Sequence, residues 1–212
     1  MTFLRWHRLG ALGVGLLTLA CGGDSTQPPG PPAEVVKSGG DGQAWYFNNP
    51  LPLPYSVTVR DANGRAVRGV PVTWAFYMTG DGTLSPNPST TNANGVATTI
   101  HTLGAATTNV VKATVTGLSV TFSATGSAPP KDVAVNVGDN VFTPRDTAVQ
   151  VNDSVTWTWS GSNPHSVTFG TGTPTSPTQT TGDYTRTFPT VGRFSYYCKV
   201  HATMTGTVTV VN

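Results

Sequence analysis

The chain has 212 residues, of which 10% are charged, with 24 Gly and 17 Pro. So few charges, with β-branched and turn-forming residues in place of Leu, Glu, Lys and Ala, exclude a helical bundle; Val, Phe, Trp and Tyr recurring at alternate positions exclude a disordered chain. Arg5 and Arg8 account for the net charge of +2 and leave 10 basic against 10 acidic residues, so there is no basic stripe for nucleic acid. An all-β chain of two β-sandwich domains is expected.

Residues 1–20 open with Arg5, His7 and Arg8 and continue into an apolar run from Leu9 to Ala20, directly before Cys21. The run is about a dozen residues, too short to cross a bilayer core of about 30 Å as a helix, and fits the apolar region of a signal peptide. The stretch "LTLAC" resembles a bacterial lipoprotein signal, which implies that Cys21 is lipidated. Residues 21–33 comprise Cys21 and the Gly/Pro-rich tether "GGDSTQPPGPPA" at 22–33, suited to holding a domain off a membrane. Gly22 in place of Asp implies, by the same resemblance, the outer membrane or cell surface over inner-membrane retention. The expected location is therefore exported, periplasmic or at the cell surface, on a lipid anchor.

Residues 34–126 alternate in strand fashion: Tyr55, Val57 and Val59 on one face, then Val72, Trp74 and Phe76, then Leu118, Val120 and Phe122. The turn signals "DANG" at 61–64, "TGDG" at 79–82 and "NANG" at 92–95 separate them, with Asn-Gly supplying positive φ. The segment from "VTVRDANGRAVRGVPVTWAF" through "TNANGVATTIHTLG" resembles bacterial Ig-like domains of the invasin and intimin type, which implies a spacer or an adhesive module. His101 has no second histidine nearby and reads as an ordinary strand or loop residue. No constellation of catalytic side chains occurs here, and no enzyme is expected. "SAPPK", 127–131, is a short stiff linker.

Residues 132–212 read as strands near 132–137, 146–151, 153–159, 165–169, 184–188, 193–198 and 205–211, with a short piece at Phe142. Phe194, Tyr196 and Cys198 share a parity, so the strand that buries the two rings also aims the thiol inward. With Cys21 taken as an anchor, Cys198 has no disulfide partner in an oxidising compartment. His201 and Met204 follow it at intervals of three, in "YYCKVHATMTG", and His165 is the domain's other histidine. Two imidazoles and a thiolate with a weak thioether define a blue-copper electron-transfer site, because soft sulfur suits Cu(I) and imidazole suits both copper states. Thioether is a poor partner for zinc. Tyr196 and Tyr197 are read as a core and a surface aromatic.

"VFTPRDTAVQVNDSVTWTWSGSNPHSVTF" followed by "GRFSYYCKVHATMTGTVTV" resembles the plastocyanin/azurin-type cupredoxins over essentially all of 132–212, and the Cys-x2-His-x2-Met spacing matches the short ligand loop of amicyanin-like members. The resemblance implies a Greek-key sandwich and one type 1 copper ion held by His165, Cys198, His201 and Met204. Ser166 stands where the family often has an Asn that braces the two ligand loops. The implied function is single-electron transfer between redox partner proteins, with His201 as the electron port and Pro164 and Ala202 at its rim, in a monomer. Four basic and five acidic residues in this domain give little electrostatic steering. Two alternatives stand beside it: a copper carrier or sensor, and an adhesive surface protein whose second domain is not redox-active. No second histidine cluster is present for a catalytic copper, and no second loop cysteine for a binuclear one.

Overall fold

The structure is a computed structural model that describes residues 28–170 and 175–212. The expected signal peptide, Cys21 and most of the tether lie outside the described residues. Among the described residues every regular element is a strand. The first half contains β1 (Glu34–Gly39), β2 (Gln43–Tyr46), β3 (Tyr55–Arg60), β4 (Pro71–Phe76), β5 (Gly82–Ser85), β6 (Ser89–Thr90), β7 (Val96–Leu103), β8 (Thr108–Val115) and β9 (Leu118–Ser127). The second contains β10 (Val133–Gly138), β11 (Val141–Thr143), β12 (Asp146–Gln150), β13 (Ser154–Trp159), β14 (Asp183–Thr187), β15 (Gly192–Tyr197) and β16 (Thr205–Val211).

Each half is two sheets around its own core. In the first, the sheet β1-β3-β7-β5 faces β2-β9-β8-β4-β6. The alternation decides what lies between them: Tyr55, Val57, Val59, Val72, Trp74 and Phe122 are all buried in one cluster. The "DANG" and "NANG" segments close in the same way. Gly64 N–H donates to Asp61 O and Gly95 N–H to Asn92 O, and a wider bond follows from Asp61 N–H to Arg65 O and from Asn92 N–H to Val96 O. Only the glycines take positive φ, 76° and 72°, while Asn63 and Asn94 do not. Asn-Gly here thus forms a turn with one left-handed residue rather than the two-residue hairpin turn the dipeptide favours in isolation. The tether's last residues are fastened to the sandwich: Gly30 N–H donates to Asp61 Oδ2 at 2.8 Å and Ala33 N–H to Arg60 O at 2.8 Å.

His101 is fully buried, with Nε2 2.9 Å from Asp81 O and Nδ1 3.3 Å from Tyr55 Oη. Burial lowers its pKa and favours the neutral ring. It is a core histidine with both nitrogens engaged.

In the second half, the sheet β11-β10-β13-β14 packs on β12-β16-β15. Two pairings are parallel, β10 with β13 and β12 with β16, so the chain crosses between sheets rather than running up and down. Val155, Trp157 and Trp159 are buried together with Tyr196, Val208 and Val210. The segment 165–169, expected as a strand, makes only isolated bridges, His165 with Gln179 and Thr168 with Tyr197. All five of its residues are buried. Having left the first sheet at Trp159, the chain docks this segment on the open edge of β15, which carries the site. Asn49 of the first half clasps the backbone of Asn212, its Nδ2 donating to Asn212 O at 3.2 Å and its Oδ1 accepting Asn212 N–H at 3.0 Å.

Candidate metal centre

Cys198 follows directly on β15, and strand parity carries it inward to 1% exposure. From there the chain turns sharply before β16. Cys198 N–H donates to Met204 O at 2.9 Å and Met204 N–H donates to His201 O at 3.0 Å. These two bonds fix the places of Cys198, His201 and Met204 within one small loop. His201 is half-buried, whereas Met204 is 2% exposed.

His165 arrives from the other sheet, past β13 and the loop Ser160–Pro164. Its backbone is held on both sides: its N–H donates to Gln179 O and its carbonyl accepts Gln179 N–H and the indole N–H of Trp159 at 3.1 Å. The ring is fully buried. Its Nδ1 lies 3.7 Å from Cys198 Sγ and 3.1 Å from His201 Nδ1, and Cys198 Sγ lies 3.8 Å from His201 Nδ1. Among the described residues these three form the cluster of His, Cys and carboxylate side chains able to share an ion.

The donor set fits a metal on its own geometry. A triangle with those three edges has a circumradius of about 2.1 Å, against about 2.0–2.1 Å for a metal–imidazole bond and about 2.3 Å for a metal–thiolate bond. Two imidazole nitrogens and one sulfur stand at the corners, with a buried thioether residue fixed beside them, and soft sulfur with imidazole is a donor set that suits copper.

Ser166 links the two loops. Its Oγ accepts the Lys199 N–H at 3.0 Å and lies 3.2 Å from Thr168 Oγ1, while its own N–H points at Cys198 Sγ at 3.4 Å. Below the thiol, Tyr196 packs edge-on against Trp157 and Phe142, and burial pushes its phenol up to about 12. Tyr197 is exposed on the opposite face of the strand.

Sequence reasoning passed over Asp139 and Asn140. They are the two-residue turn between β10 and β11, with Asn140 at φ 63°. Asn140 N–H lies 3.4 Å from His165 Nε2, and Asp139 Oδ1 lies 3.6 Å from the same atom. Asp139 Oδ1 also accepts the N–H groups of Asn163 at 2.8 Å and Ser162 at 2.9 Å, which hold its carboxyl below the ordinary range. The sequence signal was "GDN", a turn motif with no hint that it lands on a histidine 25 residues ahead.

Residues 52–127 match the family described as bacterial Ig-like domain (group 1). The similar solved structures are cupredoxins. A purple cupredoxin from Nitrosopumilus maritimus is 24% identical over 38% of this chain and 100% of its own, with a TM-score of 0.36. A Cu(I) structure of an amicyanin variant is 27% identical over 38% of this chain and 82% of its own, with a TM-score of 0.36. A reduced amicyanin variant is 25% identical over 40% of this chain and 92% of its own, with a TM-score of 0.34. No curated protein matches the chain.

Proposed function

We propose that the chain is an exported, lipid-anchored blue-copper protein whose second domain carries single electrons between redox partner proteins, with the Ig-like domain as a spacer. The observation that carries this reading is the donor triangle of His165, Cys198 and His201, with edges of 3.1–3.8 Å. A copper ion held there supplies a one-electron couple between Cu(II) and Cu(I).

The chain's own residues supply the rest. Cys198, His165 and Met204 are buried, which keeps water from competing for the site. The Cys198–Met204 and Met204–His201 backbone bonds hold the loop in one geometry, and a site that does not rearrange between oxidation states keeps reorganisation small. His201 alone of the four reaches the surface, among exposed Val200, Ala202 and Pro164. That apolar rim suits a brief docking contact with a partner, in keeping with the near balance of charge.

The test begins with metal-free protein titrated with Cu(II). An intense visible charge-transfer band and a reversible one-electron wave in voltammetry are expected, and Cys198→Ser should abolish the band. If copper binds without a reversible wave, electron transfer gives way to copper handling by a carrier or sensor.

A further inference from the structure

We infer that Asp139 is a positioning residue for the metal site, accepting a hydrogen bond from the Nε2–H of His165 when Nδ1 binds the metal. The inference deepens the metal-site reading above and rests on it.

A neutral imidazole carries one proton on one of its two nitrogens. His165 Nδ1 faces Cys198 Sγ and His201 Nδ1, so a metal among those atoms takes the Nδ1 lone pair and leaves the proton on Nε2. The ring has no exposure, so water cannot receive that N–H and a protein acceptor is required. Two groups face Nε2. Asn140 N–H, at 3.4 Å, is a donor and matches only the opposite tautomer. Asp139 Oδ1, at 3.6 Å, is the acceptor, a few tenths of an ångström beyond hydrogen-bond range. The β10–β11 turn therefore presents a partner to each tautomer, and metal binding exchanges one for the other.

The carboxylate is aimed before any metal arrives. The Ser162 and Asn163 N–H groups fix Oδ1 from the loop that leads into His165. Gly161 makes that approach possible, since a Cβ there would collide with Asp139 Oδ1 and its backbone nitrogen. A carboxylate behind a ligating imidazole orients the ring and raises its basicity, and losing such a partner typically costs 10–100-fold in metal affinity. Its negative charge also favours the higher oxidation state.

The experiment compares the wild-type protein with Asp139→Asn and Asp139→Ala by chelator competition for Cu(II) and for Cu(I), alongside nitrogen-15 NMR of the Cu(I)-loaded form. Asp139→Asn still offers an amide oxygen to Ser162 and Asn163, so the loop stays capped while the charge is removed. The expected result is a loss of about tenfold in Cu(II) affinity for the Asn variant, with Cu(I) affinity less affected. A tenfold difference between the two states corresponds to a rise of about 59 mV in potential. A slowly exchanging Nε2–H of His165 in the wild type should exchange fast in the Ala variant. Unchanged affinities in the Asn variant overturn the inference, even if the Ala variant is weakened, because Asp139 is then a loop cap and nothing more. A wild-type protein that binds no copper overturns the metal-site reading itself, and this inference with it.

Discussion

Ser166→Ala isolates what holds the two ligand loops together. The substitution removes the acceptor of the Lys199 N–H and the partner of Thr168 Oγ1, and leaves a methyl group in a fully buried place. Each buried polar group left without a partner costs about 1–3 kcal/mol. Lys199 is an exposed residue and its bond to Ser166 Oγ is only part-buried, so water offsets part of that loss, and a total of about 2 kcal/mol is expected. With a urea dependence of about 1.5 kcal/mol/M for a small domain, the unfolding midpoint of the second domain falls by about 1.3 M. Metal-free protein equilibrated in urea, pulsed with deuterium and read by mass spectrometry on peptides from 192–212 and from 55–103 reports the two cores separately. Only the first set should shift. The Ser166 N–H that points at Cys198 Sγ is main chain and survives the substitution, so the copper-loaded variant should keep its visible band. A midpoint change below about 0.3 M, or equal shifts in both peptide sets, refutes the assignment of Ser166 as the link between loops.

The acid stability of the first domain should depend on Asp61, whose carboxylate accepts the N–H groups of Gly30, Arg65 and Asn63 and the Arg65 side chain, holding its pKa at about 2. Its folded value lies below the ordinary Asp value of about 3.9, so its contribution is complete above that pH and is lost as pH falls through about 2. Thermal melts between pH 5 and pH 2 should show a shallower decline for Asp61→Asn than for the wild type. Cys21→Ser should release the protein from membranes or block its processing, measured by fractionation and by the mass of the mature N-terminus; unchanged partitioning and mass would falsify the lipid anchor.

Strand parity made most of the fold legible. Phe194, Tyr196 and Cys198 could be placed on one face from spacing alone, because a strand leaves no other choice. The loop residues Cys198, His201 and Met204 were legible for a related reason: neighbours in so short a turn cannot be far apart. Segment 165–169 was harder. Val167 and Phe169 alternate like a strand, but Ser166 and Thr168 are buried as well, because the segment lies between Gln179 and Tyr197 and touches each through a single bridge. Its pairing depends on where the sandwich puts β15, which no local pattern encodes. The same holds for Asp139. A turn motif announces a turn and says nothing of what stands opposite it. Asn49 was equally silent, since a loop asparagine gives no sign that its partner is a backbone 163 residues away.

The bridge between Thr168 and Tyr197 consists of two main-chain hydrogen bonds of 2.9 Å, joining the segment that carries His165 to the last residue of the strand that leads into Cys198. Separating His165 from Cys198 therefore means prying the edge of β15 away from the segment beside it, a sub-global opening rather than the flapping of a loop. Exchange of whatever the site holds then has two routes of very different speed. The quick one passes the edge of His201, and a competing chelator that cannot reach that edge must wait for the sandwich to part. Off-rates that fall with chelator bulk and track hydrogen exchange at the Tyr197 amide would be the kinetic signature of that arrangement.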